Sequence, residues 1–247
     1  MTIYNPQLAE LMNAVKNPPT IPALKSFGEI CKAMRTAHDF YMLHVEQFEK
    51  IYSDTARAGK LTTAGLKEMR AEFEGAIMPV ISKTRDMISN EIEKWKEAEL
   101  HNTYATVNKA PTEEQARLLE VVLKKDSVSQ AELEMLARNF GDNYSCACAF
   151  RDFAKKKGYM VAFSDFTDAE DRITDINGAY DYLNNMLAEI HKPSNSSYNL
   201  MAFYRTDENG ESYEGSLARA YTEALDTDST FKPQKIEVTP ISNGEAS

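Results

Sequence analysis

From Pro22 to about Ala56, Phe27, Cys31, Met34, His38, Tyr41, Val45, Phe48 and Tyr52 recur at alternating spacings of four and three. That is the heptad seam of one long amphipathic helix, interrupted only by Gly28. Ala58-Gly59-Lys60 ends it, because glycine readily takes the left-handed conformation after a last turn, and Thr62 or Thr63 can cap the next helix. A second apolar stripe follows in Leu66, Met69, Phe73, Ile77, Val80, Ile81, Thr84, Ile88, Ile92 and Trp95. Two such helices joined by a short turn predict an antiparallel hairpin, and 30 or so residues make a rod about 45 Å long. Pro79 removes one hydrogen bond inside the second helix and is expected to bend it without ending it. Past Trp95 the helix turns polar, and Asn108 to Pro111 reads as a linker.

Shorter periods surround the hairpin. Asn5 and Pro6 suit the start of a helix that runs to Lys16, where Asn17-Pro18-Pro19 stops it. Thr112-Glu113-Glu114-Gln115 is a capping box opening a helix with Leu118, Leu119, Val122 and Leu123. Ser129 begins a second helix with Leu133, Leu136 and Ala137, Gly141-Asp142-Asn143 makes a turn, and a third helix ends at Gly158. Asp165 to Lys192 carries Ile173, Ile176, Tyr180, Leu183, Leu187 and Ile190 along one side and stops at Pro193. Asn199 to Thr206, Asn209-Gly210 and Glu211 to Tyr213 read as a short β-hairpin. Leu217, Ala220, Tyr221 and Leu225 make a last helix, and no period is visible beyond it.

The expected fold is therefore mainly α: a long antiparallel helical hairpin, a small helical bundle, a minor β-hairpin and a flexible C-terminal tail. The expected segments are an arm at 1–20, the hairpin at 21–108, the bundle at 112–192, the β-hairpin and short helix at 193–226, and the tail at 227–247. Composition agrees, since 43% hydrophobic residues in 247 supply a core. A formal charge of -10 disfavours general binding to polyanions. Three cysteines, Cys31, Cys146 and Cys148, at spacings that suggest no disulfide framework, imply a reducing, cytoplasmic setting. No run approaches the roughly 18 apolar residues of a membrane span, and no N-terminal leader pattern is visible, so the chain is expected to be used whole.

One string carries a resemblance. Val128-Ser129-Gln130-Ala131-Glu132-Leu133 through Lys155-Lys156-Lys157-Gly158-Tyr159-Met160-Val161 resembles a winged helix-turn-helix DNA-binding module, with a helix start, a turn, a longer helix and a basic entry to a wing. The resemblance implies that the helix after Asn143 is the recognition helix. Its start, Asp142-Asn143-Tyr144-Ser145-Cys146-Ala147, offers only Asn143 and Ser145 to base edges. Acidic and basic residues balance between Thr112 and Met160, and Ser164-Asp165-Phe166-Thr167-Asp168 puts acid at the wing. On these grounds nucleic acid is not the expected partner.

No other motif points to chemistry. His38 and His44 are six apart rather than the four of a zinc helix, and His38 lies in the seam, where a hydrogen-bonded interface histidine is the plainer reading. Cys146 and Cys148 diverge on a helix. Asp165, Asp168, Glu170, Asp171 and Asp175 cap a helix start more naturally than they hold a cation, and no calcium loop is present. Glycine is sparse, with neither a phosphate-cradling run nor a nucleophile elbow. No cofactor, metal or catalytic residue is expected, and the chain is read as a non-enzyme.

What remains is apolar surface. A two-helix rod cannot bury two wide stripes by pairing once, and Ile30, Phe40, His44 and Ile51 lie beside the seam, so the small bundle or a partner chain must cover them. The candidate interaction surface is Phe27, Ile30, Met34, His38, Phe40, Tyr41, Val45, Phe48, Tyr52, Phe73, Ile77, Ile81, Ile88 and Trp95. The organisation resembles bacteriophage structural-module proteins of the scaffold or head-assembly kind. That resemblance implies a homo-oligomeric assembly protein working in the host cytoplasm or the virion. The alternatives are a winged-helix DNA-binding regulator using Ser129 to Val161, and an acidic inhibitor of a host protein.

Overall fold

A computed structural model describes residues 6–59, 61–163, 169–191, 204–206, 212–214, 216–225 and 236–241. The helices are α1 (Pro6–Val15), α2 (Phe27–Arg57), α3 (Thr63–Val107), α4 (Glu113–Leu123), α5 (Gln130–Ala137), α6 (Tyr144–Lys156), α7 (Ala169–Glu189) and α8 (Ser216–Leu225). The strands are β1 (Tyr159–Phe163), β2 (Tyr204–Thr206), β3 (Ser212–Glu214) and β4 (Ile236–Pro240). The fold is mainly α-helical. No helix among the described residues is long and apolar enough to cross a membrane. The chain packs as two compact units, one of Met1–Glu97 with Asn177–Thr227, the other of Ala98–Ile176 with Asp228–Ser247. Both α3 and α7 run through a unit boundary, so the units do not follow the segments expected from the sequence.

The first unit is built on the hairpin. Ser26 caps α2 by accepting from the Glu29 N–H, and Gly59 at φ 61° turns the chain after the last helical turn. Thr62 then accepts from the Gly65 N–H at 3.2 Å as α3 begins. The seam closes along its length. Near the turn, Phe48 stacks on Phe73 with ring centres 4.2 Å apart, and Arg70 reaches both carboxylate oxygens of Glu49 at 2.8 and 3.2 Å. At the far end Phe27 meets Trp95 at 5.8 Å. Between them Ile77, Ile81, Ile88 and Ile92 are buried. The helix continues through Pro79, which is exposed, so the missing N–H leaves the zipper intact.

Further helices join this hairpin. On α7, the Tyr180 hydroxyl donates to Glu93 at 2.5 Å and its ring lies under the Lys96 ammonium at 3.7 Å. The His38 ring is hydrogen-bonded through Nδ1 to the Ile190 carbonyl at 2.8 Å. From α8, Tyr221 packs on Phe27 at 5.7 Å and on Tyr182 at 5.7 Å. Gly178 makes that approach possible, because a Cβ there would sit 2.8 Å from the Tyr221 hydroxyl. Leu8, Leu11 and Val15 of α1 are buried, and α1 packs on α2. Strands β2 and β3 pair antiparallel, with Arg205 opposite Tyr213, while the expected Asn209-Gly210 turn lies outside the described residues.

The second unit is a three-helix core closed by a strand pair. Thr112 and Gln115 form the expected capping box at α4, and Gln115 also donates to the Asn139 carbonyl and to Asp142, tying α4 to the turn before α6. Phe140, Cys146, Phe150 and Phe153 fill the centre with Val122 and Leu133. Gly158 at φ 85° ends the third helix and starts β1. Strand β4 pairs antiparallel with β1, placing Val238 opposite Val161 and Ile236 opposite Phe163. Within the segment expected as a tail, Ile236–Pro240 is thus a strand, and 227–235 and 242–247 lie outside the described residues. Alternation in Ile236-Glu237-Val238 buries Val238 and exposes its neighbour, and the Gln130 amide donates to the Val238 carbonyl at 2.8 Å. Arg172 of α7 completes the unit with a 3.0 Å ion pair to Glu99 of α3.

Candidate interaction surfaces

The hairpin residues expected to face a partner are largely spent inside the first unit. Phe27, Ile30, Met34, His38, Phe48, Phe73, Ile77, Ile81, Ile88 and Trp95 are all buried by the chain itself. Phe40, Tyr41, Val45 and Tyr52 are half-buried. Burial, with the negative Glu74 nearby, holds the Tyr41 phenol above its usual value. His44 also tucks away, with Nδ1 against the Phe40 carbonyl at 2.7 Å and its ring 4.3 Å from the Phe40 ring. The surplus stripe that implied a partner is thus reduced, since α1, α7 and α8 pack on the hairpin. Leu43, Met78 and Met87 stay exposed on it, at wheel positions that do not form one stripe.

In the second unit the face of α6 away from the core is the candidate nucleic-acid interface. Cys146, Ala147, Phe150, Phe153 and Ala154 point inward, leaving Ser145, Cys148, Ala149, Arg151, Asp152, Lys155 and Lys156 outward. Lys155 and Lys156 make no hydrogen bond or ion pair with a described residue. The other cations of this unit are largely engaged: Arg117 with Glu113, Lys124 with Glu120, Lys125 with Glu132 and Arg172 with Glu99. Lys157 donates to the Asp126 carbonyl at 3.0 Å and lies over the Phe153 ring. The charge balance along the sequence therefore resolves in space. Between Thr112 and Met160 acid lies mostly on α4 and α5, while the outward face of α6 carries three cations and Asp152, with α7 starting against Tyr144 and bringing Glu170 and Asp171 in its first turn.

Asn143, offered to base edges by the sequence, is instead structural. It is 2% exposed, its side-chain oxygen caps α6 by accepting from the Cys146 N–H at 3.1 Å, and its amide donates to the Lys109 carbonyl at 3.0 Å. Ser145 donates to that same oxygen at 2.9 Å. Arg151 takes a different course. Its Nη2 lies 3.8 Å from the Cys148 sulfur, so the guanidinium folds back along α6. Cys146 is buried, and burial, with Asp142 second, pushes its thiol up and keeps it in the unreactive form.

No group of acids, histidines and cysteines among the described residues could hold a metal ion. Of the expected acidic cluster, Glu170, Asp171 and Asp175 lie on α7, where Glu170 and Asp171 sit in its first turn and favour the helix dipole. Asp165 and Asp168 lie outside the described residues. Compared with protein-family models, curated proteins and solved structures, the chain matches none of them.

Proposed function

We propose that the chain is a non-enzymatic binding protein whose second unit docks duplex DNA through α6. The observation that carries this reading is the outward face of α6, where Lys155 and Lys156 are exposed and Ser145, Cys148 and Ala149 are small. Small side chains let a helix enter a groove closely, and exposed lysines neutralise phosphates. The frame supports it, because a three-helix core followed by an antiparallel strand pair is the arrangement that the winged-helix resemblance implies. Unlike a simple wing, the connection from β1 to β4 spans residues 164–235 and includes α7 and α8. Fluorescence anisotropy of the full chain with labelled duplexes at about 50 mM salt tests the proposal. Micromolar binding that weakens in Lys155→Ala/Lys156→Ala supports it, whereas no binding to any duplex rejects it.

A second reading is assembly through the hairpin, as in a phage scaffold-type protein. Half-buried Tyr41, Val45 and Tyr52, at heptad spacing on one side of α2, favour it. Sedimentation equilibrium decides: a strict monomer up to about 100 μM, a concentration above the affinity range of ordinary weak oligomers, removes this reading.

A further inference from the structure

Resting on the assembly reading, we infer that the partner at the hairpin is a second copy of the chain, and that the two copies meet through an antiparallel pairing of α3 with α3 over residues 74–85. Along α3, Glu74, Met78, Ile81 and Arg85 recur at spacings of four, three and four, which places them within about 60° on one face of the helix. That order is its own complement. Under a two-fold axis level with the bond between Pro79 and Val80, Glu74 of each copy lies opposite the partner's Arg85, and Met78 opposite the partner's Ile81. The charged ends are uncommitted: Glu74 is exposed, Arg85 is half-buried, and neither makes an ion pair or hydrogen bond with a described residue. Eleven residues of helix hold the two about 16 Å apart, too far to pair within one copy. Met78 between them is 45% exposed. The hairpin supplies an apolar seat beside this face. Phe48 on Phe73 and Phe27 on Trp95 set the register of the two helices, so Tyr41 of α2 stands level with Ile81 and Val45 level with Ile77. Both are half-buried, and the Tyr41 phenol lies close enough to Glu74 to feel its charge, which puts them on one flank. The partner's Met78 settles there against Tyr41. Arg70, the cation one turn before Glu74, is neutralised by Glu49 and does not compete for it. A helix from another protein would have to match both the spacing and the reversed charges, whereas a second copy brings both.

Sedimentation equilibrium of the full chain and its charge-reversal variants tests the assignment. The wild type should show a reversible monomer–dimer equilibrium. Glu74→Lys and Arg85→Glu each set like charges face to face twice per dimer and should weaken it by about ten- to a hundredfold. The combined Glu74→Lys/Arg85→Glu variant restores opposite charges and should recover the wild-type constant to within about threefold, a rescue that only a contact between copies can give. Thermal melts of each variant establish that the fold is kept. Oligomers of odd order, a dimer indifferent to either reversal, or a combined variant as weak as the single ones would each overturn the assignment while leaving assembly through the hairpin standing. A strict monomer up to about 100 μM would remove the assembly reading and this inference together.

Discussion

Asn143 shows how a residue's type and its use come apart. Its amide group suits adenine, yet both ends are committed, one to the α6 cap and one to the Lys109 carbonyl. Asn143→Ala should therefore act on stability, costing about 1–2 kcal/mol through the lost cap and the orphaned carbonyl. Urea unfolding checks this, and an unchanged midpoint would contradict the role assigned here. The three cysteines make a second residue-scale case. Cys31 and Cys146 are buried and Cys148 is partly open on α6. An aromatic disulfide reagent should titrate one thiol rapidly in the native chain and all three only after denaturation. Rapid reaction of two or three native thiols would show that α6 or α2 is less well packed than described. His38 belongs in the same class, for its seam position was legible in the heptads. Its partner, the carbonyl of Ile190 just past α7, lies far along the chain where no local pattern points to it.

Legibility at the level of elements divided along the same line between local and non-local physics. The hairpin, its Gly59 turn, the Thr112 capping box and the Gly158 stop were all readable, because periodicity, caps and positive-φ glycines act within a few residues. Strand β4 was not. Its alternation covers only Ile236 to Val238 inside a polar, proline-containing stretch, and its partner β1 precedes it by the whole of α7 and α8. The burial of most of the candidate hairpin surface within the chain was hidden for a related reason: a stripe reveals that a face is apolar, not which part of the chain covers it. What β4 contributes can be measured. Val238 is 4% exposed in the second unit's core, so Val238→Asp would bury an unpaired carboxylate and should destabilise that unit by more than about 3 kcal/mol. Protection of the α6 amides in hydrogen exchange reports it, and native protection in the variant would mean that β4 is dispensable.

For the whole molecule, charge sets the terms. Glu91, Glu120 and Glu132 are held below the ordinary carboxylate range, chiefly by hydrogen bonds from Lys94, Lys124 and Lys125. A carboxylate with a lowered folded value adds stability above its unfolded value near 4.3, and loses it as the pH falls through the folded value. Acid sensitivity should therefore appear only below about pH 4.5. It should be slight and weakened by salt, since these pairs lie at the surface; a steep loss between pH 7 and 5 would point to another group.

The same charge governs approach to DNA. A chain at -10 is repelled by a duplex at long range, while the α6 face attracts it at short range. Two lysines and one arginine should release only about two to three counterions, giving a shallow salt slope. Lowering the pH from 7.5 to the pI near 5.0 discharges the repulsion without touching the lysines or Arg151, so affinity should rise several-fold by about pH 5 at about 50 mM salt and less at about 200 mM, where screening has already removed the repulsion. Anisotropy titrations across that grid discriminate between local and global control. A slope steeper than about five, or affinity that falls on acidification, would mean that the contact surface is not the face of α6.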